Sequence, residues 1–181
     1  MLSHTVTHKS EVGGVAVGVK PHEAGARLEA MKAEVVARTG SAPDAFLVQE
    51  MVADGIELIL GAHRDALGTA ILLGMGGVAA ELIQDSTMRL LAPGCALPRE
   101  EAAGMVRELK TFALLDGFRG RPRADVEALT DAIVGFSRMA AALGERLVTA
   151  EINPLFVLAQ GRGVRAADGV AVIGGEAGAV G

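Results

Sequence analysis

Apolar positions along the chain recur at two spacings. Steps of three and four mark helices, and alternate positions mark strands. Ala24, Leu28, Met31 and Val35 form one helical stripe; Pro21 opens it in the first-turn position that proline tolerates, and Gly40 closes it. A second helix starts at Pro98 with Glu100 and Glu101 in its first turn, and turns Met105, Leu109 and Phe112 inward. A third covers 124–143, with Val126, Leu129, Ile133, Phe136, Ala140 and Leu143 on one side. That stripe is too short for a coiled coil and suits packing on a sheet.

Strand-like runs lie between and beyond these helices. Residues 12–19 alternate Gly and Val. Residues 45–52 and 56–62 flank the turn Ala53-Asp54-Gly55, and a further run at 69–73 stops at Gly74-Met75-Gly76-Gly77. Another short strand is expected at 87–91. Two last runs, 147–158 and 164–173, surround Gln160-Gly161-Arg162-Gly163 and read as a hairpin. No internal repeat is visible. The fold class expected is α/β in the α+β sense, a mainly antiparallel sheet backed by helices near 21–39, 98–113 and 124–143.

Composition narrows the function. The chain has 181 residues, half of them hydrophobic, enough for one domain or two small lobes around a core. Its net charge is −5, with five Phe and no Trp or Tyr. A nucleic-acid binder would carry basic patches and stacking aromatics, so no nucleic acid is expected. Phosphate ligands remain compatible, because backbone N–H groups and a metal ion can hold them. Cys95 is the single cysteine and reads as a small hydrophobe. Nothing at the N-terminus has a signal-peptide pattern, and the longest uncharged stretch, 66–80, is too short to span a membrane. The expectation is a soluble cytoplasmic protein with no membrane association.

The densest chemistry lies in Glu151-Ile152-Asn153-Pro154-Leu155. In a strand Glu151 and Asn153 share a face, and Pro154 disturbs the ladder beside them. Folding the hairpin about the Gln160–Gly161 bond sets Asn153 opposite Asp168. A carboxylate, an amide oxygen and a second carboxylate suit Mg²⁺ shared with nucleotide phosphates and waters. A solvated polar edge is the plainer alternative. Gly74, Gly76 and Gly77 would let the backbone approach a ligand, or would simply form a tight turn. Arg89 would stabilise phosphate charge, or would sit in a surface ion pair. His4, His22 and His63 have no supporting motif and read as structural.

Glu151-Ile152-Asn153-Pro154-Leu155 followed by Asp168 resembles the metal-binding hairpin of the succinyl-CoA synthetase β subunit. It is closer to ADP-forming acetyl-CoA synthetases and their fused acyl-CoA synthetase relatives, whose nucleotide part is an ATP-grasp domain. The resemblance covers about residues 3–173. It also rests on His8-Lys9-Ser10-Glu11-Val12-Gly13-Gly14-Val15, on Leu47-Val48-Gln49-Glu50-Met51-Val52, and on Gly55-Ile56-Glu57. Gly74-Met75-Gly76-Gly77, Glu81, Asp85, Arg89, Pro93 and Gly117-Phe118-Arg119-Gly120-Arg121-Pro122 follow in the family order.

The resemblance implies several roles. Asn153 and Asp168 carry Mg²⁺, with Glu151 beside them. Glu50, Met51 and Val52 form the adenine hinge, where one backbone N–H and one C=O can read the base. Glu57, Gly76, Gly77 and Arg89 lie near the nucleotide. His8 matches a second phosphoryl-carrying histidine, which a neutral imidazole can serve near pH 7. The implied reaction converts acid, CoA and ATP to acyl-CoA, ADP and phosphate through acyl phosphate and phosphohistidine. ATP/ADP and Mg²⁺ would bind here. CoA would bind a partner domain or subunit carrying the other phosphohistidine, and the acyl substrate would be a small carboxylic acid.

The same resemblance puts most of the smaller ATP-grasp lobe, with its phosphate-binding Lys, ahead of His8. The expected organisation is therefore an ATP-grasp domain at 1–173 that is incomplete at its N-terminus, its first lobe largely missing, and a flexible tail at 174–181. The expectation is that the chain alone does not make acyl-CoA. Oligomerisation is left open. So is a second class, a non-catalytic nucleotide-binding or regulatory module, since such regions are also fused to acetyltransferases.

Overall fold

The computed structural model describes residues 11–77 and 84–174. The chain divides into two compact units, Met1–Met51 and Val52–Gly181.

In the first unit a 3₁₀ turn at Pro21–Glu23 leads into helix α1, Ala24–Thr39. Gly40, in the left-handed conformation at φ 74°, donates its N–H to Val36 O and ends the helix. Met31 and Val35 are buried with Val12, Ala16 and Phe46 around them. Within this unit the helix stripe closes a small core. The expected strand at 12–19 does not form. Gly13 and Gly18 take left-handed φ, which breaks a strand, and Val15 and Val17 are exposed. Of the run expected at 45–52, Ala45 makes an isolated bridge, residues 46–52 form no strand, and Leu47, Val48 and Met51 are exposed.

In the second unit the sheet is antiparallel in every pairing. Its strands are β1 (Ile56–Asp65), β2 (Gly68–Met75), β3 (Ser86–Leu90), β4 (Leu147–Val157), β5 (Val164–Ala166) and β6 (Gly169–Ile173). They lie in the order β3-β2-β1-β4-β5, and β6 also pairs with β4. One face carries Leu58, Leu60, Ile71, Leu73, Leu147, Leu155 and Val157 into the core. Three helices contribute to that core: α2 (Arg99–Glu108), α3 (Phe112–Leu115) and α4 (Val126–Leu143). The stripe expected for α4 is the buried one, with Leu129, Ile133, Phe136 and Ala140 inward. Among the described residues of this unit, the helices lie against that one face of the sheet. The opposite face presents Glu57, Ile59, Leu72, Met88, Glu151 and Val170. Among the described residues no helix is long and apolar enough to cross a membrane.

The helix expected at 98–113 is interrupted, and Asp85 explains the break. Its buried carboxylate accepts hydrogen bonds from Lys110 N–H and Thr111 N–H, each at 2.8 Å, and from the Thr111 hydroxyl. Those two N–H groups are thereby drawn out of the helical ladder, and Leu109 turns extended at ψ 131°. The same residue's carbonyl accepts from Met75 N–H at 3.0 Å, so Asp85 joins β2 to the end of α2. Burial pushes the Asp85 carboxyl up. The Thr111 hydroxyl, the two N–H groups and the Lys110 charge outweigh it and hold the group below its ordinary value.

Asp85→Asn is expected to lower stability at pH 7 by about 1–3 kcal/mol, because a buried acceptor set is left half-matched. The native carboxyl binds its proton below the range of the unfolded chain, about 3.9. Its contribution is therefore full above that range and is lost as pH falls through the native value. Thermal unfolding should show a constant gap between parent and variant from about pH 7 to pH 5, closing in more acidic solution. A gap that persists or widens in acid would contradict this role.

Candidate functional site

The hairpin has the register expected from its turn. Leu155 pairs with Ala166, Phe156 with Arg165 and Val157 with Val164. Beyond the interruption Ala150 pairs with Ala171, Glu151 with Val170 and Ile152 with Gly169. Between these halves Asn153 N–H donates to Asp168 O at 3.0 Å, and Ala167 N–H donates to Pro154 O at 3.1 Å. Asn153 and Asp168 are thus directly opposed. The Asn153–Pro154 peptide is cis. On the other side of β4 the register with β1 shifts between Leu58 and Leu60, so Asn153 and Pro154 together oppose Ile59. This is a β-bulge in the strand interior, a device that re-aims side chains.

Glu151 and Asn153 share the face away from the helices. The Asn153 amide nitrogen donates to Glu151 Oε1 at 3.2 Å. That bond leaves the amide oxygen as the end a cation would take. Glu151, Asn153 and Asp168 are all exposed. Among the described residues no three or more His, Cys, Asp or Glu are grouped to hold a metal ion. Mg²⁺ does not require such a cage: it binds through one or two carboxylates and completes its octahedron with phosphate oxygens and waters. An open, all-oxygen donor set on a bulge fits that ion.

Glu57, Gly76 and Gly77 come together a short distance along β1. Gly76 N–H donates to Glu57 O at 2.9 Å. A Cβ built on Gly76 would lie 3.0 Å from the Leu58 carbonyl carbon and oxygen. A Cβ on Gly77 would lie 2.7 Å from Glu57 Oε2, at a φ of 73°. These glycines therefore let the end of β2 pack onto β1 and make room for the Glu57 carboxylate.

Arg89 is placed elsewhere. It pairs with Ile71, whose side chain is in the core, so it lies on the helix side of the sheet. Its Nε reaches Glu101 at 3.1 Å and its NH2 reaches Glu108 at 2.5 Å, both on α2. The surface ion pair is the arrangement observed. Glu50, Met51 and Val52, expected as the adenine hinge, lie in the irregular stretch where the chain passes from the first unit to the second. Met51 Sδ accepts the Gly18 N–H at 3.4 Å. His8 and Glu81 lie outside the described residues.

Comparison with known proteins decides the family. The pattern described as ATP-grasp domain matches residues 1–173. The chain belongs to the ATP-grasp family. Within it, similarity runs to the ADP-forming acetate–CoA ligases. The chain is 37% identical over 170 residues to "Acetate--CoA ligase [ADP-forming] I" of Archaeoglobus fulgidus, covering 91% of this chain and 24% of that protein. It is 30% identical to the β subunit of the Pyrococcus furiosus ADP-forming acetate–CoA ligase II, covering 97% of this chain and 74% of the subunit. A solved acetyl-coenzyme A synthetase from Candidatus Korarchaeum cryptofilum, in complex with coenzyme A and Mg-AMPPCP, superposes with a TM-score of 0.76 at 31% identity. That match covers 96% of this chain and 74% of the other. The chain thus spans about a quarter of the length of the Archaeoglobus relative. Sequence reading passed over the apolar part of the open ATP-grasp sheet face, Ile59, Leu72 and Met88. Only the register, which pairs Gly61 with Leu72 and Leu72 with Met88, gathers them on one surface.

Gly76→Ala is expected to destabilise the chain by about 1–3 kcal/mol, because the new methyl meets the Leu58 backbone, which cannot rotate away. Denaturant midpoints would read this. An unchanged midpoint would show that β1 and β2 do not approach as described.

Proposed function

We propose that this chain binds Mg²⁺–ATP on the open face of its sheet, as the nucleotide part of an ADP-forming acyl-CoA synthetase. The observation that carries the reading is the exposed oxygen set of Glu151, Asn153 and Asp168 at the bulge of β4. The Mg-AMPPCP and coenzyme A complex of the Korarchaeum relative supports it. In the reaction proposed for the whole protein a small carboxylic acid, CoA and ATP give acyl-CoA, ADP and phosphate. The CoA-binding part is supplied by a partner domain or subunit, in line with the β-subunit name of the Pyrococcus relative.

The proposed roles follow from placement. Asn153 and Asp168 offer oxygen to the cation, and Glu151 holds the Asn153 amide so that its oxygen faces outward. Mg²⁺ supplies positive charge to the phosphates when bound. Glu57 and the bare backbone at Gly77 border the same face. The backbone of residues 50–52, in an irregular stretch of the chain, is the proposed reader of adenine. Ile59, Leu72 and Met88 give the face an apolar floor, which excludes water and strengthens charge interactions above it.

Nucleotide titration with and without Mg²⁺ tests this. Asp168→Ala and Asn153→Ala should each weaken Mg²⁺-dependent ATP binding by about ten- to a hundredfold. Arg89→Ala removes a surface ion pair and should leave affinity within about twofold. Equal affinities for parent and Asp168→Ala, or no nucleotide binding by the parent, would reject the reading.

A further inference from the structure

The turn of the hairpin is held from outside the hairpin. Asp125 caps α4, accepting Ala128 N–H on Oδ1 at 3.2 Å. Its other oxygen, Oδ2, accepts Gly163 N–H at 2.8 Å, in the turn between β4 and β5. Its own N–H donates to Leu158 O at 2.8 Å. Beside it, Gln160 N–H donates to Arg123 O at 2.8 Å, and Ala124 bridges to Ala159. One buried carboxylate therefore joins the first turn of a helix to the turn of the hairpin. The N–H of Gly163, then that of Ala128, hold its carboxyl below the ordinary value.

The hairpin needs such a tie. Its turn has two glycines in left-handed conformation, Gly161 at φ 80° and Gly163 at φ 77°, which leave the unfolded turn many alternatives. Strand β5 has three residues and β6 five, and Asn153 and Asp168 lie in the gap between the two ladders, where no strand pairing is assigned. A slip of one residue would move Asp168 away from Asn153 and turn neighbouring side chains to the other face. A second tie exists, Arg162 to Asp54 at 2.6 Å, but both side chains are more than half exposed. Exposed pairs of that kind contribute little. Beside the backbone ties at Leu158, Ala159 and Gln160, the buried Asp125 carboxylate adds a side-chain hold on the turn.

We propose that Asp125 is a positioning residue for the cation site: by holding Gly163 it keeps Asn153 opposite Asp168, beyond its role as a helix cap. The proposal rests on the reading of Glu151, Asn153 and Asp168 as the Mg²⁺–nucleotide site. Serine separates the two roles. At this position its short hydroxyl still caps a helix, but it does not reach Gly163.

The experiment compares the full chain with Asp125→Ser, Asp125→Asn and Asp54→Asn. Amide hydrogen exchange reports register, because the Asn153 N–H donates to Asp168. In Asp125→Ser that amide should exchange about tenfold faster or more, while Leu129 and Ile133 in α4 stay within about twofold. The gain in ATP affinity on adding Mg²⁺ should fall about tenfold in the same variant, with metal-free affinity retained. Asp125→Asn, which keeps one full-length acceptor, should recover part of both, and it reports in place of Asp125→Ser should that variant not fold. Asp54→Asn should match the parent. Unchanged Asn153 protection in Asp125→Ser, or equal loss of protection in α4, would overturn the proposal. Should the parent show no Mg²⁺-dependent affinity, the nucleotide reading fails and the exchange at Asn153 alone decides whether Asp125 holds the register.

Discussion

The structure depends on the register of β4. This strand pairs with β1 on one edge and with β5 and β6 on the other. Its alternate residues Ala150, Leu155 and Val157 are buried, so a one-residue slip would move them out of the core. The bulge at Asn153 and Pro154 interrupts this alternation once and leaves core residues on both sides of it facing inward. The polar set sits at that interruption, where the ladder already yields two residues against one. Packing and chemistry thus use the same local irregularity.

The two faces of the sheet divide the work. Leu58, Leu60, Ile71 and Leu73 are fully buried against the helices. Each such side chain contributes about 1.5–3 kcal/mol on burial, so the helix side supplies the stability. The open face does not have to be optimised for packing and can carry Glu57, Glu151 and Asn153 together with apolar side chains. Asp85 serves the stable side by tying β2 to α2. Because it takes backbone N–H groups that a helix would otherwise use, the chain turns sharply after Glu108.

Much of this was legible in the sequence because two periods are hard to confuse over long runs. The stripe of α4 and the hairpin pairing of Asn153 with Asp168 both followed from spacing and turn residues. Where expectation failed, the missing information was tertiary. The alternation of Gly and Val at 12–19 and the apolar positions at 45–52 read as strands, yet Val15, Val17, Leu47, Val48 and Met51 are exposed among the described residues. The helix at 98–113 was read as continuous because the break is made by Asp85, far off in sequence. Arg89 reads, by type and by resemblance, as a residue near the phosphates, with a surface ion pair as the alternative. Its two carboxylate partners on α2 are visible only once β3 packs beside that helix. The family order of motifs depends on many positions at once, and it reached the ATP-grasp family without these tertiary details.

The claim at the centre is that the bulged hairpin of this ATP-grasp chain holds a nucleotide-bound cation. The most direct measurement is a crystal structure of the chain with a non-hydrolysable ATP analogue and Mn²⁺ in place of Mg²⁺, the cation located by its anomalous scattering. The account predicts one peak within about 2–2.5 Å of oxygens from both Asn153 and Asp168, with phosphate oxygens completing the sphere. A well-occupied nucleotide whose cation lies away from both residues would contradict it.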